Sequence, residues 1–190
     1  DKLNGQFGFA VWNAPDRHLF LARDRVGIRP LYYTVQNVCF YFASEIKALF
    51  AAHNIPRHID PVSVNQVFTY WTALPGRTVF SGVNEVKPGH FLSVSDRGVE
   101  QKQYWDIPAC SRECWLDWTA DSVTEKAAGL LEDAVRIRLK ADVPVGSYLS
   151  GGLDSSGVTA LAARIHRGNL NTFGLRFLDQ EYDEGMYQKQ

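Results

Sequence analysis

The sequence predicts two architectures in one chain: a layered α+β part built on antiparallel strands, then an α/β part built on a parallel βαβ unit. Three observations carry this. Four short, aromatic-rich, apolar runs recur through residues 7–43 at a spacing of about ten residues. Residues 143–149 form an apolar run that leads into Ser150-Gly151-Gly152, a helical periodicity and a further apolar run at 172–177. A strand, helix and strand of this length imply a right-handed parallel unit. Between the two patterns, residues 107–121 lack periodicity, and Pro108 breaks the preceding strand.

Taken in order, residues 7–13 read as a strand, and Pro15 and Asp16 hold favourable turn positions. Residues 18–24 return, Gly27 and Pro30 break the chain, and strands follow at 31–35 and 39–43. Their near-continuous apolar character predicts one sheet buried on both faces, with a second layer over it. Ser44 is the expected N-cap of a helix with Glu45 in its first turn. Asp60 is the expected N-cap of the next, with Pro61 at its first position and Val64, Val67, Phe68 and Trp71 on one face. Pro75-Gly76 ends that region. Pro88-Gly89 turns into a strand at 90–94, and Asp96-Arg97-Gly98 is a hairpin turn before a strand at 99–105.

In the second part, Ser122-Val123-Thr124-Glu125 has the form of a capping box opening a helix to about residue 140. Ala127, Leu130, Leu131, Ala134, Val135 and Leu139 make its apolar stripe. Arg136, Arg138 and Lys140 suit its C-terminal turns as solvated charges. The helix after the Gly-Gly turn is expected over 156–167, with Val158, Leu161, Ala162 and Ile165 on its buried face and Gly168-Asn169 as its C-cap.

The chain has 190 residues, 45% apolar and 22% charged, with a net charge of −1. This is ordinary globular composition, and its charge favours neither nucleic acid nor an anionic membrane as partner. No apolar run approaches a membrane span. Asp1-Lys2-Leu3-Asn4-Gly5 is neither an initiator sequence nor a signal peptide. Three cysteines, Cys39, Cys110 and Cys114, argue against a disulfide framework and for a reducing cytoplasm. Cys110 and Cys114 lack a second ligand pair, which discounts zinc. His18, His53, His58 and His90 are isolated and read as surface or turn residues. Arg23-Asp24 reads as a structural ion pair or turn support, with no chemistry assigned. Trp115 and Trp118 suit either a homodimer interface or a packed-down linker.

The chemistry concentrates at residues 148–156. A strand, a Gly-rich turn and a helix present free backbone N–H groups at a helix N-terminus, where phosphate binds. Gly151 and Gly152 permit φ > 0 and a close anion. Ser150, Ser155 and Ser156 add hydroxyl donors. A lone Gly-Gly would be only a βα turn, with Asp154 or Ser155 capping the helix. Ser150-Gly151-Gly152-Leu153-Asp154-Ser155-Ser156 after an apolar strand favours phosphate. No Lys occurs between Lys140 and Lys189, which excludes a Walker A loop, and the dinucleotide spacing is absent. Asp154 would repel phosphates without a cation between, so Mg²⁺ is expected there.

At these residues the sequence resembles the PP-loop of the N-type ATP pyrophosphatases. With Asp142-Val143-Pro144-Val145-Gly146 just upstream, it resembles the glutamine-dependent asparagine synthetases and their relatives. The first part resembles the C-terminal half of a class II glutamine amidotransferase domain. The matching residues include Leu3-Asn4-Gly5-Gln6-Phe7-Gly8-Phe9-Ala10, the run from Ala22-Arg23-Asp24-Arg25 to Pro30-Leu31-Tyr32-Tyr33, Phe42-Ala43-Ser44-Glu45-Ile46-Lys47-Ala48-Leu49 and Val86-Lys87-Pro88-Gly89-His90.

The resemblance implies an αββα sandwich over 1–106, a linker over 107–121, and the beginning of a parallel-sheet PP-loop domain over 122–190. It implies ATP and Mg²⁺ as cofactors, with Tyr148, Leu149, Ser150, Gly151, Gly152, Leu153, Asp154, Ser155, Ser156 and Leu175 as binding residues. Tyr148 and Leu175 would flank the adenine through backbone contacts. Residues 181–184, Glu181-Tyr182-Asp183-Glu184, would open the next helix. The implied reaction converts aspartate, ATP and glutamine to asparagine, AMP, pyrophosphate and glutamate through β-aspartyl-AMP. The family's nucleophile is an N-terminal Cys, and residue 1 is Asp. The chain is therefore expected to be an internal piece, inactive by itself, with no catalytic residue of its own. Relatives acting on another carboxylate, and a non-catalytic member, are the alternatives.

Overall fold

The computed structural model describes residues 3–109, 118–166, 168–179 and 183–189. It divides into two compact units, residues 1–109 and 110–190.

Among the described residues, unit 1 holds seven strands in two antiparallel sheets. The first sheet comprises β1 (Gly8–Asn13), β2 (His18–Arg23), β6 (His90–Ser95) and β7 (Gly98–Gln103) in the order β1-β2-β6-β7. The second comprises β3 (Tyr32–Gln36), β4 (Cys39–Ala43) and β5 (Asn84–Glu85) in the order β4-β3-β5. The four early strands thus do not form the single sheet expected. Gly27 and Pro30 turn the chain out of the first sheet before β3 starts, and β2 takes β6 as its other neighbour, Leu21 opposite Leu92.

The alternation of side chains across each pleat builds the layers. Leu19 and Leu21 of β2 and Leu92 and Val94 of β6 share one face, and they pack with Leu31, Val86, Tyr33 and Phe40. That contact joins the two sheets. On the far face of the second sheet, Tyr32, Tyr41 and Ala43 meet Leu49, Ile55 and Val83. Helix α1 (Ile46–Leu49) lies in this outer layer. The layer order is sheet, sheet, helix. Burial on both faces holds for the second sheet. It fails for the first, whose outer face exposes Val11 at 55% and gathers Phe9, Phe20 and Phe91 with Phe7, Tyr104 and Trp105 around an open groove.

Helix α2 (Pro61–Tyr70) starts as expected: the Asp60 carboxylate accepts from the Val62 N–H at 3.1 Å, and Pro61 needs no partner for its missing N–H. Its apolar face does not follow the expectation. Ser63 is the buried residue, while Phe68 and Trp71 are 85% and 93% exposed. Arg77 explains the inward Ser63: the guanidinium donates to Ser63 Oγ and pairs with Asp60, so a polar cluster tethers this helix. The cap of α1 is Glu45, not Ser44, and it makes no side-chain bond.

Unit 2 holds α3 (Ala120–Arg138), β8 (Gly146–Tyr148), α4 (Leu153–Ile165) and β9 (Asn171–Phe173). Strands β8 and β9 pair in parallel, Ser147 opposite Thr172. Four expectations are corrected. Helix α3 begins inside the expected linker, because Thr119 rather than Ser122 is the cap, accepting from the Ser122 N–H at 3.2 Å. Strand β8 is shorter than 143–149: Pro144 has no N–H to pair, and Val143 is 70% exposed. Helix α4 starts at Leu153 instead of Ser156, capped by Gly152, and ends with His166 in extended backbone rather than on Gly168-Asn169. Strand β9 stops at Phe173, not residue 177. The stripe of α3 is buried only toward its end, at Val135, with Leu130 and Leu131 exposed. Glu132 pairs with Arg136 in its own helix and with Arg164 of α4.

Trp115, Cys110 and Cys114 lie outside the described residues, as do Glu181 and Tyr182 of the expected helix start at 181–184; Asp183 and Glu184 are not helical. Trp118 is partly exposed. Among the described residues, no helix is long and apolar enough to cross a membrane.

Candidate functional site

The chemistry-bearing turn lies between β8 and α4. Gly151 takes φ +102°, a conformation that a side chain would strain, and Gly152 is extended at φ −72° and ψ 161°. Two hydroxyls knit the turn. Ser150 Oγ lies 2.9 Å from Ser155 Oγ, the Ser150 N–H donates to Ser155 Oγ, and the Gly152 N–H donates to Ser150 Oγ at 3.3 Å. Ser155 Oγ is also bonded to the Gly152 carbonyl. The serines expected as anion donors therefore also fix the loop that would receive the anion. One further tie, Ser147 Oγ to Thr159 Oγ1 at 2.8 Å, locks β8 to α4.

Of the expected residues, Tyr148, Leu149, Ser150 and Leu175 line one pocket of about 290 Å³ beyond the carboxyl ends of β8 and β9. This is where a parallel α/β sheet binds ligands. Phe173, Gly174, Phe177 and Glu184 complete the lining. The strands close below it through the Leu149 N–H, which donates to the Phe173 carbonyl at 2.8 Å. Tyr148 and Phe173 rings lie 6.5 Å apart. Gly146 makes room for this packing, since a methyl group there would sit 2.7 Å from the Phe173 ring.

Gly151, Gly152, Ser155 and Ser156 sit around the N-terminus of α4 and outside the pocket lining. Leu153 points to solvent at 89% exposure and lies outside the pocket lining. Asp154 is exposed in the first helical turn. The described residues contain no cluster of three potential metal ligands, so Asp154 stands as a single carboxylate. One carboxylate fits Mg²⁺ only if phosphate oxygens and water supply the other ligands, which is how this ion is usually held.

Residues 183–188 were not singled out as pocket neighbours. Arg176 grips Asp183 with two nitrogens at 2.9 Å, which holds the Asp183 carboxyl below its ordinary range. The Gln188 carboxamide donates to the carbonyls of Ser150 and Leu175. Asp183 and Glu184 were expected only as part of a helix start and Gln188 was marked by no motif; the fold brings them to the strand ends.

In unit 1, Arg23 and Asp24 are structural. Arg23 donates to the carbonyls of Arg29, Val86 and Gly27 at 2.7–2.8 Å and pairs with Glu85 at 2.7 Å. Asp24 is 1% exposed and accepts from the N–H groups of Ile28, Arg29 and Phe7. Burial raises its carboxyl, but these backbone donors outweigh burial and leave it below the ordinary carboxylate range. His18 is bonded to Ser93 and His90 to the Pro88 carbonyl, both as local supports.

Comparison with known proteins matches two parts of the chain to two families. The glutamine amidotransferase domain family matches residues 1–105, and the asparagine synthase family matches residues 126–190. The chain is 40% identical over 164 residues to asparagine synthetase [glutamine-hydrolyzing] 3 of Bacillus subtilis, covering 86% of this chain and 26% of that protein. It is 35% identical over 187 residues to asparagine synthetase [glutamine-hydrolyzing] 1 of the same organism, covering 96% and 28%. It is 39% identical over 166 residues to the amidase chyE of Penicillium rubens, covering 87% and 24%. The chain thus spans about a quarter of the length of these curated relatives. A solved glutamine phosphoribosylpyrophosphate amidotransferase of B. subtilis superposes with a TM-score of 0.31 at 17% identity, over 87% of this chain and 32% of that one, too low to carry a fold argument. The chain belongs to the glutamine amidotransferase domain family, and its residues 126–190 match the asparagine synthase family.

Proposed function

We propose that the whole protein is a glutamine-hydrolysing asparagine synthetase, and that unit 2 contributes its nucleotide site. The observation that carries the reading is the Ser150–Ser155 turn. A left-handed glycine and a helix N-terminus adjoin a pocket at the carboxyl ends of two parallel strands. Backbone N–H groups at the start of α4 suit the phosphates, and the apolar pocket suits the purine. Asp154 would hold Mg²⁺ together with phosphate oxygens; the ion would neutralise charge on the phosphates. The aspartate β-carboxylate would attack the α-phosphorus of ATP and expel pyrophosphate. Ammonia from glutamine would then attack the acyl carbon and release AMP. Unit 1 would belong to the glutaminase part, with Arg23 and Asp24 as its scaffold and no catalytic residue assigned to it. The domains are proposed as 1–106 and 122–190, joined by 107–121.

The test is ATP–pyrophosphate exchange by the whole protein with Mg²⁺ and a panel of carboxylic acids. Aspartate-dependent exchange, lost in Asp154→Ala, is expected. Exchange only with another acid would keep the nucleotide site and overturn asparagine as product. The amidase of P. rubens, at similar identity, makes that comparison necessary.

A further inference from the structure

We propose that Gln188 is a positioning residue for the nucleotide base: from outside the pocket, its carboxamide ties together the two strand ends between which the base would sit. The proposal rests on the nucleotide reading above. Gln188 lies in the short 3₁₀ turn Tyr187–Lys189 and is half-buried. Its Nε2 donates to the Ser150 carbonyl at 3.0 Å and the Leu175 carbonyl at 3.2 Å. Ser150 and Leu175 both line the pocket, and Gln188 does not.

The last backbone bond between the two strands joins the Leu149 N–H to the Phe173 carbonyl. Beyond it the Gln188 amide bridges the two chains, one N–H to each carbonyl. A carbonyl oxygen has a second lone pair, so Leu175 can receive Gln188 and still accept from an amino group of the base.

Three separate features hold the amide there. Gly174 gives it space, since a methyl group at that position would lie 2.6 Å from Gln188 Oε1. Gly151, at φ +102°, lets the Glu184 carbonyl and Tyr187 pack onto the loop; a methyl group there would lie 2.9 Å and 3.1 Å from them. The Arg176–Asp183 pair anchors the start of the segment. So the same segment touches the phosphate turn and spans the base pocket, and the amide sets the width of that pocket.

The test measures, on the whole protein with Mg²⁺, the affinity for ATP and for inorganic tripolyphosphate, which has no base. The variants are Gln188→Leu, of similar size without donors, and Gln188→Glu, of the same length but without donors when ionised. Both are expected to bind ATP about 3- to 10-fold more weakly, the loss of ordinary hydrogen bonds. Both should keep tripolyphosphate affinity within about twofold, because the turn keeps its own hydrogen bonds among Ser150, Gly152 and Ser155. Wild-type ATP affinity in either folded variant overturns the proposal. So does an equal loss for both ligands, which would mean general loosening. Wild type that binds tripolyphosphate but gains nothing from the adenosine of ATP also overturns it while leaving the phosphate turn standing. Wild type that binds neither overturns the nucleotide reading and the clamp together. A melting curve for each variant identifies one that fails to fold, and the other then decides.

Discussion

Arg23 shows how one side chain can hold several turns. It sits at the end of β2, 5% exposed, and its guanidinium serves three carbonyls and Glu85. Lysine carries a point charge without the planar fork and cannot reproduce this set. Arg23→Lys should cost on the order of 3 kcal/mol, because buried carbonyls and Glu85 lose their partner. Urea unfolding of unit 1 checks it, and an unchanged midpoint would contradict the assignment. Asp60 gives a pH dependence. Hydrogen bonds from Arg77 and Ser63 hold its carboxyl down at about 2. Its folded value lies below its unfolded one, so its contribution is complete above the ordinary carboxylate range and fades as pH falls toward 2. The amide signals of α2 should therefore lose protection between about pH 4 and 2, and Asp60→Asn should flatten that change. Legibility at this scale was mixed. The Asp60-Pro61 cap could be read because both residues act locally. The Gln188 bridge could not, because it spans 38 positions of sequence to Ser150.

At the scale of elements, the strands and hairpins of unit 1 followed the apolar runs closely, since pleat alternation and turn chemistry are local, whereas β8 and β9 of unit 2 are about half as long as their runs. Sheet membership did not: β2 pairs with β6 across residues that no periodicity connects. The starts of α1, α3 and α4 all shifted, but only α3 gained a side-chain cap by it; Glu45 and Gly152 cap α1 and α4 without one. Thr119 displaces Ser122 on α3, so Thr119→Ala should lower stability by about 1 kcal/mol. Hydrogen exchange at the first turn of α3 would read this, and a larger effect from Ser122→Ala would contradict it. Gly89 is a second element-scale test. Its φ is +66°, and a methyl group would collide with the Trp105 carbonyl. Gly89→Ala should destabilise the turn before β6 by roughly 1–2 kcal/mol from the left-handed backbone alone, with the collision added. The thermal midpoint of unit 1 is the readout.

At the scale of the molecule, the order of units carried the functional reading. An antiparallel sandwich precedes a parallel strand–turn–helix–strand unit, and each is matched by its own family. The strand-to-helix turn proposed to bind phosphate was legible as a turn because Ser150-Gly151-Gly152 combines left-handed freedom, hydroxyls and a helix start in adjacent residues. The rest of the pocket was not, because Phe177 and Glu184 reach it only through the chain's path after β9. The most direct measurement follows both halves of the reaction together. The whole protein is given aspartate, ATP with Mg²⁺, and glutamine labelled at its amide nitrogen, and the products are read by NMR. The account expects AMP and pyrophosphate, with the label appearing in asparagine in equal amount. ADP and phosphate, or label that never leaves ammonia, would contradict it.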